Sequence, residues 1–326
     1  MTAVDYLLWA PLLGFLLLNL LAFRQARAMT RFARSGSRTA KPEELSLLGK
    51  IKAVLWGVLV PRPHRDATPA QLHLYYETLT FTGNRFALEA WYIPHPGDRG
   101  LVLLFHGYTR CKADLLPEAR ALHDLGYACL LVDFPGSGGS GGNRTTIGYH
   151  EAADVARAVA YARASWPGRR LIVFGQSMGA AAVLRAQAIG RLDVDALVLE
   201  CPFDRLLTTV KARFAAMGLP AFPGVYLLMF WGGAWNFFNA FAHNPIDYAT
   251  AVDCPVLLLH GSADPRVTSQ HTEQIYNRLA GWKRLFVFEG LGHHSYVEQR
   301  PAAWKEQVGR FLATEAIALN ATKQTA

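Results

Sequence analysis

Residues 171–186 read LIVFGQSMGAAAVLRA, and the fold of the whole chain turns on them. Residues 171–174 are a short, partly β-branched apolar run of the kind that forms a buried strand. The run stops at Gly175, a lone hydroxyl follows at Ser177, and Gly179 leads into an alanine-rich helical pattern. A strand that becomes a helix within three residues forces the backbone through a strained corner, and side chains two places either side of it must be minimal. Gly175 and Gly179 meet that demand, and the alanines at 180–182 let the helix lie close to the sheet. Ser177 then stands at a helix N-terminus, where backbone N–H groups and the helix dipole favour negative charge.

Similar apolar runs recur on both sides of this corner, at 101–105, 128–132, 196–199, 256–259 and 285–288, with helical stretches between them. Strand-like alternation precedes them at 72–82 and 86–93. Short β-branched runs alternating with helices predict an α/β fold with a mostly parallel central sheet covered on both faces. At 326 residues the chain can bury one large core, and no internal repeat is visible.

The net charge of +8 is concentrated. Arg24, Arg27, Arg31, Arg34, Arg38 and Lys41 fall in a stretch without an acid between Asp5 and Glu43, and setting these six aside leaves +2 for the remainder. That balance argues against a nucleic-acid partner. Cys111, Cys129, Cys201 and Cys254 lie far apart without zinc or redox spacing, so they read as buried free thiols. Residues 6–23 carry Asn19 as their one strongly polar side chain. That length of apolar chain approaches what a bilayer crossing requires. Positive charge follows the run instead of preceding it, which favours a retained single-pass anchor over a cleaved secretory signal. The same arginines put the C-terminal body on the cytoplasmic side.

The expected organisation is a membrane anchor at 1–30, a basic connector at 31–66, an α/β domain at 67–318 and a tail at 319–326. Residues 45–60 form an amphipathic piece suited to a membrane surface. Between Arg213 and Asp247 there is no Lys, Arg, Asp or Glu, and aromatics crowd the segment. Pro220, Pro223, Gly224, Gly232 and Gly233 interrupt it, and a second crossing would separate Ser177 from everything after Asp247. It reads instead as an apolar cap insertion, about 204–247, with Phe222, Tyr226, Phe230, Trp231 and Trp235 as candidate substrate-binding residues.

Gly-x-Ser-x-Gly between strand and helix is the nucleophile elbow. A serine nucleophile needs a base, the base an orienting carboxylate, and the developing oxyanion needs donors. VLLLHGSADPRV ends one later strand with Asp264, LFVFEGLGHHSY ends the next with His293 and His294, and LVLLFHGYTR ends an earlier one at His106 and Gly107. Asp204 in ECPFDR is an alternative acid, His294 an alternative base, and His106 reads as structural support for the loop at Tyr108. The order serine, acid, histidine, each just past a strand, resembles the α/β-hydrolase fold family.

The motifs LLFHGYTR, VDFPGSGGSGG, GQSMG, HGSADPRV and GLGHHSY resemble, over about residues 72–315, the serine-aminopeptidase-like and monoacylglycerol-lipase-like branch. By that likeness Ser177 matches the nucleophile, Asp264 the acid and His293 the base. The amides of Tyr108 and Met178 match the oxyanion hole. The resemblance implies acyl transfer to water, and the apolar cap points to lipid-like carboxylic esters over peptides or other acyl acceptors. A non-catalytic, membrane-tethered partner protein is the reading from another class. Residues 136–141, GSGGSG, satisfy a dinucleotide fingerprint, but "NRTT" prolongs the loop and the next strand ends in the elbow without an acid. No cofactor or metal is implied.

Overall fold

The computed structural model describes residues 3–40, 44–97 and 99–324. The chain divides into two compact units, Met1–Arg62 with Arg205–His243 and Pro63–Asp204 with Asn244–Ala326.

In chain order the elements are α1 (Ala3–Thr30), α2 (Leu47–Trp56), β1 (Glu77–Thr82), β2 (Ala87–Ile93), β3 (Leu101–Phe105), α3 (Leu116–Asp124) and β4 (Ala128–Val132). There follow α4 (Glu151–Ser165), β5 (Leu171–Gln176), α5 (Met178–Gly190), β6 (Ala196–Glu200), α6 (Leu206–Met217) and α7 (Gly224–Asn236). The chain closes with α8 (Pro245–Tyr248), β7 (Val256–Gly261), α9 (Ser269–Arg278), β8 (Lys283–Phe288), α10 (Tyr296–Gln299) and α11 (Pro301–Gln324). Each short β-branched run singled out in the sequence is a strand, while the longer apolar run at 6–23 is helical. The first strand starts later than its alternation suggested, because Pro69–Leu72 forms a short 3-10 turn ahead of β1. At the other end, α11 runs on to Gln324 through most of the residues read as a tail, and residues 325–326 lie outside the described residues.

The larger unit holds one eight-stranded sheet in the order β1-β2-β4-β3-β5-β6-β7-β8. The β1–β2 and β2–β4 pairs are antiparallel and the rest are parallel. Every residue of β3, β4 and β6 is buried. Burial on both faces explains why these strands read as unbroken apolar runs and not as alternations. Leu101, Leu103 and Phe105 enter a core shared with Ala152, Val155 and Ala180 of α4 and α5. Val102 and Leu104 enter the opposite core with Ala119 and Leu122 of α3 and Trp304 of α11. The chain leaves β3 for β4 on one side and returns to β5 on the other. Such a reversal opens a crevice at the C-terminal ends of the two flanking strands.

In the smaller unit α1 and α7 pack side by side, with the Phe23 ring edge-on to Trp231 and Trp235 at 5.4 Å each. Trp231 Nε1 donates to Asn19 Oδ1 at 3.1 Å, and the Asn19 amide donates to Phe15 O. The one polar side chain of the apolar run is thus fully employed. Of the five aromatics expected to bind substrate, Trp231 and Trp235 are therefore committed to the α1 helix. Phe222, Tyr226 and Phe230, spaced four apart, form an exposed stripe along α7 and its approach.

Candidate active site

The corner at Ser177 has the strain its sequence predicts. Ser177 sits at φ 52°, ψ −110°, a left-handed conformation that costs an L-residue about 1–3 kcal/mol. A Cβ on Gly175 would lie 2.8 Å from Ala180 Cα, and one on Gly179 would collide with the Phe105 carbonyl oxygen. Both positions require glycine. The serine amide donates to Glu200 O at 2.8 Å, and Ala181 N donates back to Ser177 O at 3.0 Å, so strand β6 and helix α5 pin the turn from both sides.

β7 and β8 deliver the partners. Past β8, the His293 Nε2 nitrogen lies 3.0 Å from Ser177 Oγ. Its Nδ1 lies 2.6 Å from Asp264 Oδ2, past β7. The other Asp264 oxygen accepts from the amides of Arg266 at 2.8 Å and Val267 at 3.0 Å. Burial of Asp264 alone would raise its pKa, but the His293 hydrogen bond and charge together with these amides hold it below the ordinary carboxylate value. An ionised carboxylate on Nδ1 fixes the tautomer that leaves Nε2 a free lone pair towards the serine proton.

The competing assignments separate by geometry. His294 is exposed, and its amide donates to Gly292 O. Asp204 is buried, with one oxygen 3.8 Å from His271 Nδ1. His106 Nδ1 faces Gly107 O at 2.9 Å and its Nε2 accepts from Phe134 N at 3.0 Å. Burial lowers its pKa, so it braces the loop before Tyr108 as a neutral ring. Gly107 backs directly onto Ser177, since a Cβ there would lie 3.6 Å from Ser177 Cβ. Tyr108 follows on one flank of the crevice between β3 and β5, and Met178 opens α5 on the other. The Met178 amide belongs to the first turn, which has no intrahelical acceptor. Thr145 Oγ1 touches Met178 Sδ at 3.4 Å and donates to Glu151 Oε1 at 2.8 Å, holding that helix start in place.

Ligand atoms of Cys201, Asp264 and His293 lie within 4.8 Å of one another, which raises a metal site as a question. The donor chemistry is poor: both His293 nitrogens already face Asp264 and Ser177, and burial pushes the Cys201 thiol far above its ordinary pKa. The glycine-rich loop after β4 is likewise occupied by the protein itself. Gly139 N donates to Asp133 Oδ2 at 3.0 Å, and Asp133 and Glu89 both pair with the buried Lys112.

Sequence reading missed what lies beneath the site. Glu200, fully buried, accepts from Trp304 Nε1 at 2.6 Å and Gln176 Nε2 at 3.2 Å. Glu118, also fully buried, accepts from Ser295 Oγ at 2.7 Å. A glutamate at the end of an apolar strand was a visible signal; nothing local marked Glu118.

Residues 96–229 match the family model described as serine aminopeptidase, S33, and residues 234–322 match the one described as TAP-like protein. The uncharacterized protein YqkD of Bacillus subtilis is 27% identical over 234 residues, covering 70% of this chain and 75% of that one. The lysophosphatidylserine lipase ABHD12 of Danio rerio is 27% identical over 195 residues, 57% of this chain and 48% of that protein. Among solved structures, the Pyrococcus furiosus esterase Pf2001 superposes with a TM-score of 0.66 at 25% identity, covering 78% of this chain and 96% of its own. With the elbow, the sheet order and these likenesses in hand, the chain is an α/β hydrolase by fold, and the matched models and the lipase relative liken it to the serine-aminopeptidase branch.

Proposed function

We propose that the chain is a membrane-anchored serine hydrolase that cleaves carboxylic esters of apolar acyl groups. The observation that carries this reading is the continuous relay Ser177 Oγ–His293 Nε2, 3.0 Å, and His293 Nδ1–Asp264 Oδ2, 2.6 Å. Ser177 Oγ attacks the ester carbonyl while His293 takes its proton. The tetrahedral oxyanion is held by the amides of Tyr108 and Met178, each worth about 3–4 kcal/mol to the transition state. The C–O bond to the alcohol then breaks, and His293 returns the proton to the leaving oxygen. Water repeats the cycle: His293 removes its proton, the hydroxyl adds to the acyl carbon, and Ser177 leaves with the proton as the acid is released.

The lipid-like substrate is supported by the lipase among the relatives and by the smaller unit's chemistry. Pro11–Thr30 is long and apolar enough to cross a bilayer, and few of its residues are buried. Its exposed Leu and Phe side chains, the apolar face of α2 at Leu47, Leu48, Ile51, Leu55 and Trp56, and the α7 stripe all suit an anchor that keeps the enzyme beside its substrate. The basic residues after the span put the hydrolase body on the cytoplasmic side. The aminopeptidase description of the matched family favours one rival, a peptidase of the same fold. Fluorophosphonate labelling of the purified chain, with Ser177→Ala as control, followed by p-nitrophenyl esters of rising chain length against aminoacyl anilides, decides both matters. Labelling that survives Ser177→Ala removes the mechanism, and a preference for anilides removes the ester.

A further inference from the structure

Under the relay lies a pocket that the reaction as written does not use. Glu118 from the first turn of α3 and Glu200 from the end of β6 are both fully buried. Neither has a cationic partner among the described residues, and their carboxyls repel each other. Glu298 of α10 adds a further negative charge facing Glu118, and the Cys201 thiol and the Tyr296 phenol stand against Glu200. Glu118 Oε2 is buried and lacks a hydrogen-bond partner among the described residues, and the Tyr296 phenol has only the Cys201 thiol beside it. A carboxylate oxygen left bare in such a place carries a large desolvation cost. A proton placed on it removes the charge.

The pocket is wired to both halves of the site. Glu118 Oε1 accepts from Ser295, two residues after His293, and Ser295 Oγ in turn receives the Glu298 amide at the start of α10. Glu200 grips the elbow, its backbone oxygen taking the Ser177 amide and its Oε2 the Gln176 amide group. Resting on the proposed serine chemistry, we propose that Glu118 is a positioning residue that works as a neutral acid. Its Oε1 anchors the His293 loop through Ser295, its Oε2 keeps a proton, and it shares with Glu200 a pocket that admits one negative charge and not two.

Burial first, then the charge of Glu200, raise Glu118 to about 8, and burial raises Glu200 to about 7. For such a carboxyl the folded chain keeps a proton that the unfolded chain has released, so stability falls as pH rises from the ordinary value of 4.5 to about 8. Glu118→Gln mimics the neutral acid and still accepts from Ser295. Its melting temperature should exceed that of the wild type by a margin that widens from about pH 5 to about pH 8. Glu118→Gln should also be labelled by a fluorophosphonate within about twofold of the wild-type rate, whereas Glu118→Ala and Ser295→Ala should slow labelling about tenfold, with KM for a short p-nitrophenyl ester little changed. A melting profile of Glu118→Gln parallel to the wild type overturns the proton. Unaltered labelling in both alanine variants overturns the positioning. A wild-type chain that takes no probe ends the serine-hydrolase reading and the positioning role with it, while the melting profiles still decide the proton. Should Glu118→Ala not fold, Ser295→Ala carries the labelling comparison.

Discussion

Three non-glycine residues just past the C-terminal ends of the central strands hold left-handed backbone angles: Thr109 at φ 58°, Ser177 at φ 52° and Cys201 at φ 39°. Strain of this kind survives only where the surroundings over-determine it, and it gathers where chemistry is done. Replacing Ser177 by Ala should lower turnover by about a thousandfold or more and abolish probe labelling. Asp264→Asn keeps the shape but offers Nδ1 the wrong partner, so kcat should fall by about 10³–10⁴ with KM little moved. Because Asp264 is held below its ordinary value of 3.8, its contribution to stability is present above that pH and fades only as the pH falls through the lower folded value. Gly179→Ala tests the corner itself: a methyl driven at the Phe105 carbonyl should cost about 2–4 kcal/mol in urea denaturation, with activity falling in the fraction that folds. The meeting of Ser177, Asp264 and His293 was legible because each sits in a local motif beside a strand end. Glu118 and Ser295 were not, since their contact joins segments far apart in sequence, and whether a glutamate on a helix is buried depends on what packs over it.

At the scale of elements, the parallel strands were legible almost residue by residue, because burial on both faces leaves an uninterrupted apolar signature. The edge hairpin was less so. β1 is exposed along most of its length, with Phe81 its one buried residue, and Tyr75 and Tyr76 extend the alternation beyond the true strand start. Least legible was the segment at 205–243. Its lack of charge between Arg213 and Asp247 was plain, but the role of its tryptophans depended on a helix two hundred residues earlier. α7 has 13 residues, about 20 Å of helix, too short for a bilayer core of about 30 Å. Its charge-free exposed stripe therefore predicts an embedded face, not a crossing. A polarity-sensitive fluorophore on Phe222→Cys or Phe230→Cys should shift to the blue and be quenched by spin-labelled lipid when the chain is reconstituted in vesicles. The same label on Asp193→Cys, on an exposed side chain of the larger unit, should stay water-like. Equal quenching by aqueous iodide at all three positions would remove the embedded face.

At the scale of the whole molecule, charge is sorted as strongly as hydropathy. Six cations follow the apolar run without an intervening acid, while the rest of the chain stays near neutral. Some of these arginines also serve the fold, Arg24 donating to Trp56 O at 3.4 Å and Arg27 lying 5.9 Å over the Trp235 ring. Both packing and translocation cost therefore act on the same short stretch. Moving several guanidiniums across a bilayer is far more costly than moving Asp5, the one charged side chain at the start of the helix, so the body should remain on the side where the chain is made. In a bacterial host a green fluorescent protein fused to the C-terminus should fluoresce, and alkaline phosphatase fused at the same place should be inactive. Arg31 and Arg34 lie beyond the C-terminal end of α1. Reversing them to Glu, together with adding two lysines ahead of Asp5, should raise the phosphatase signal at the expense of fluorescence. An active phosphatase fusion on the unaltered chain would place Ser177 and its partners on the far side of the membrane, with any ester reaching them from there.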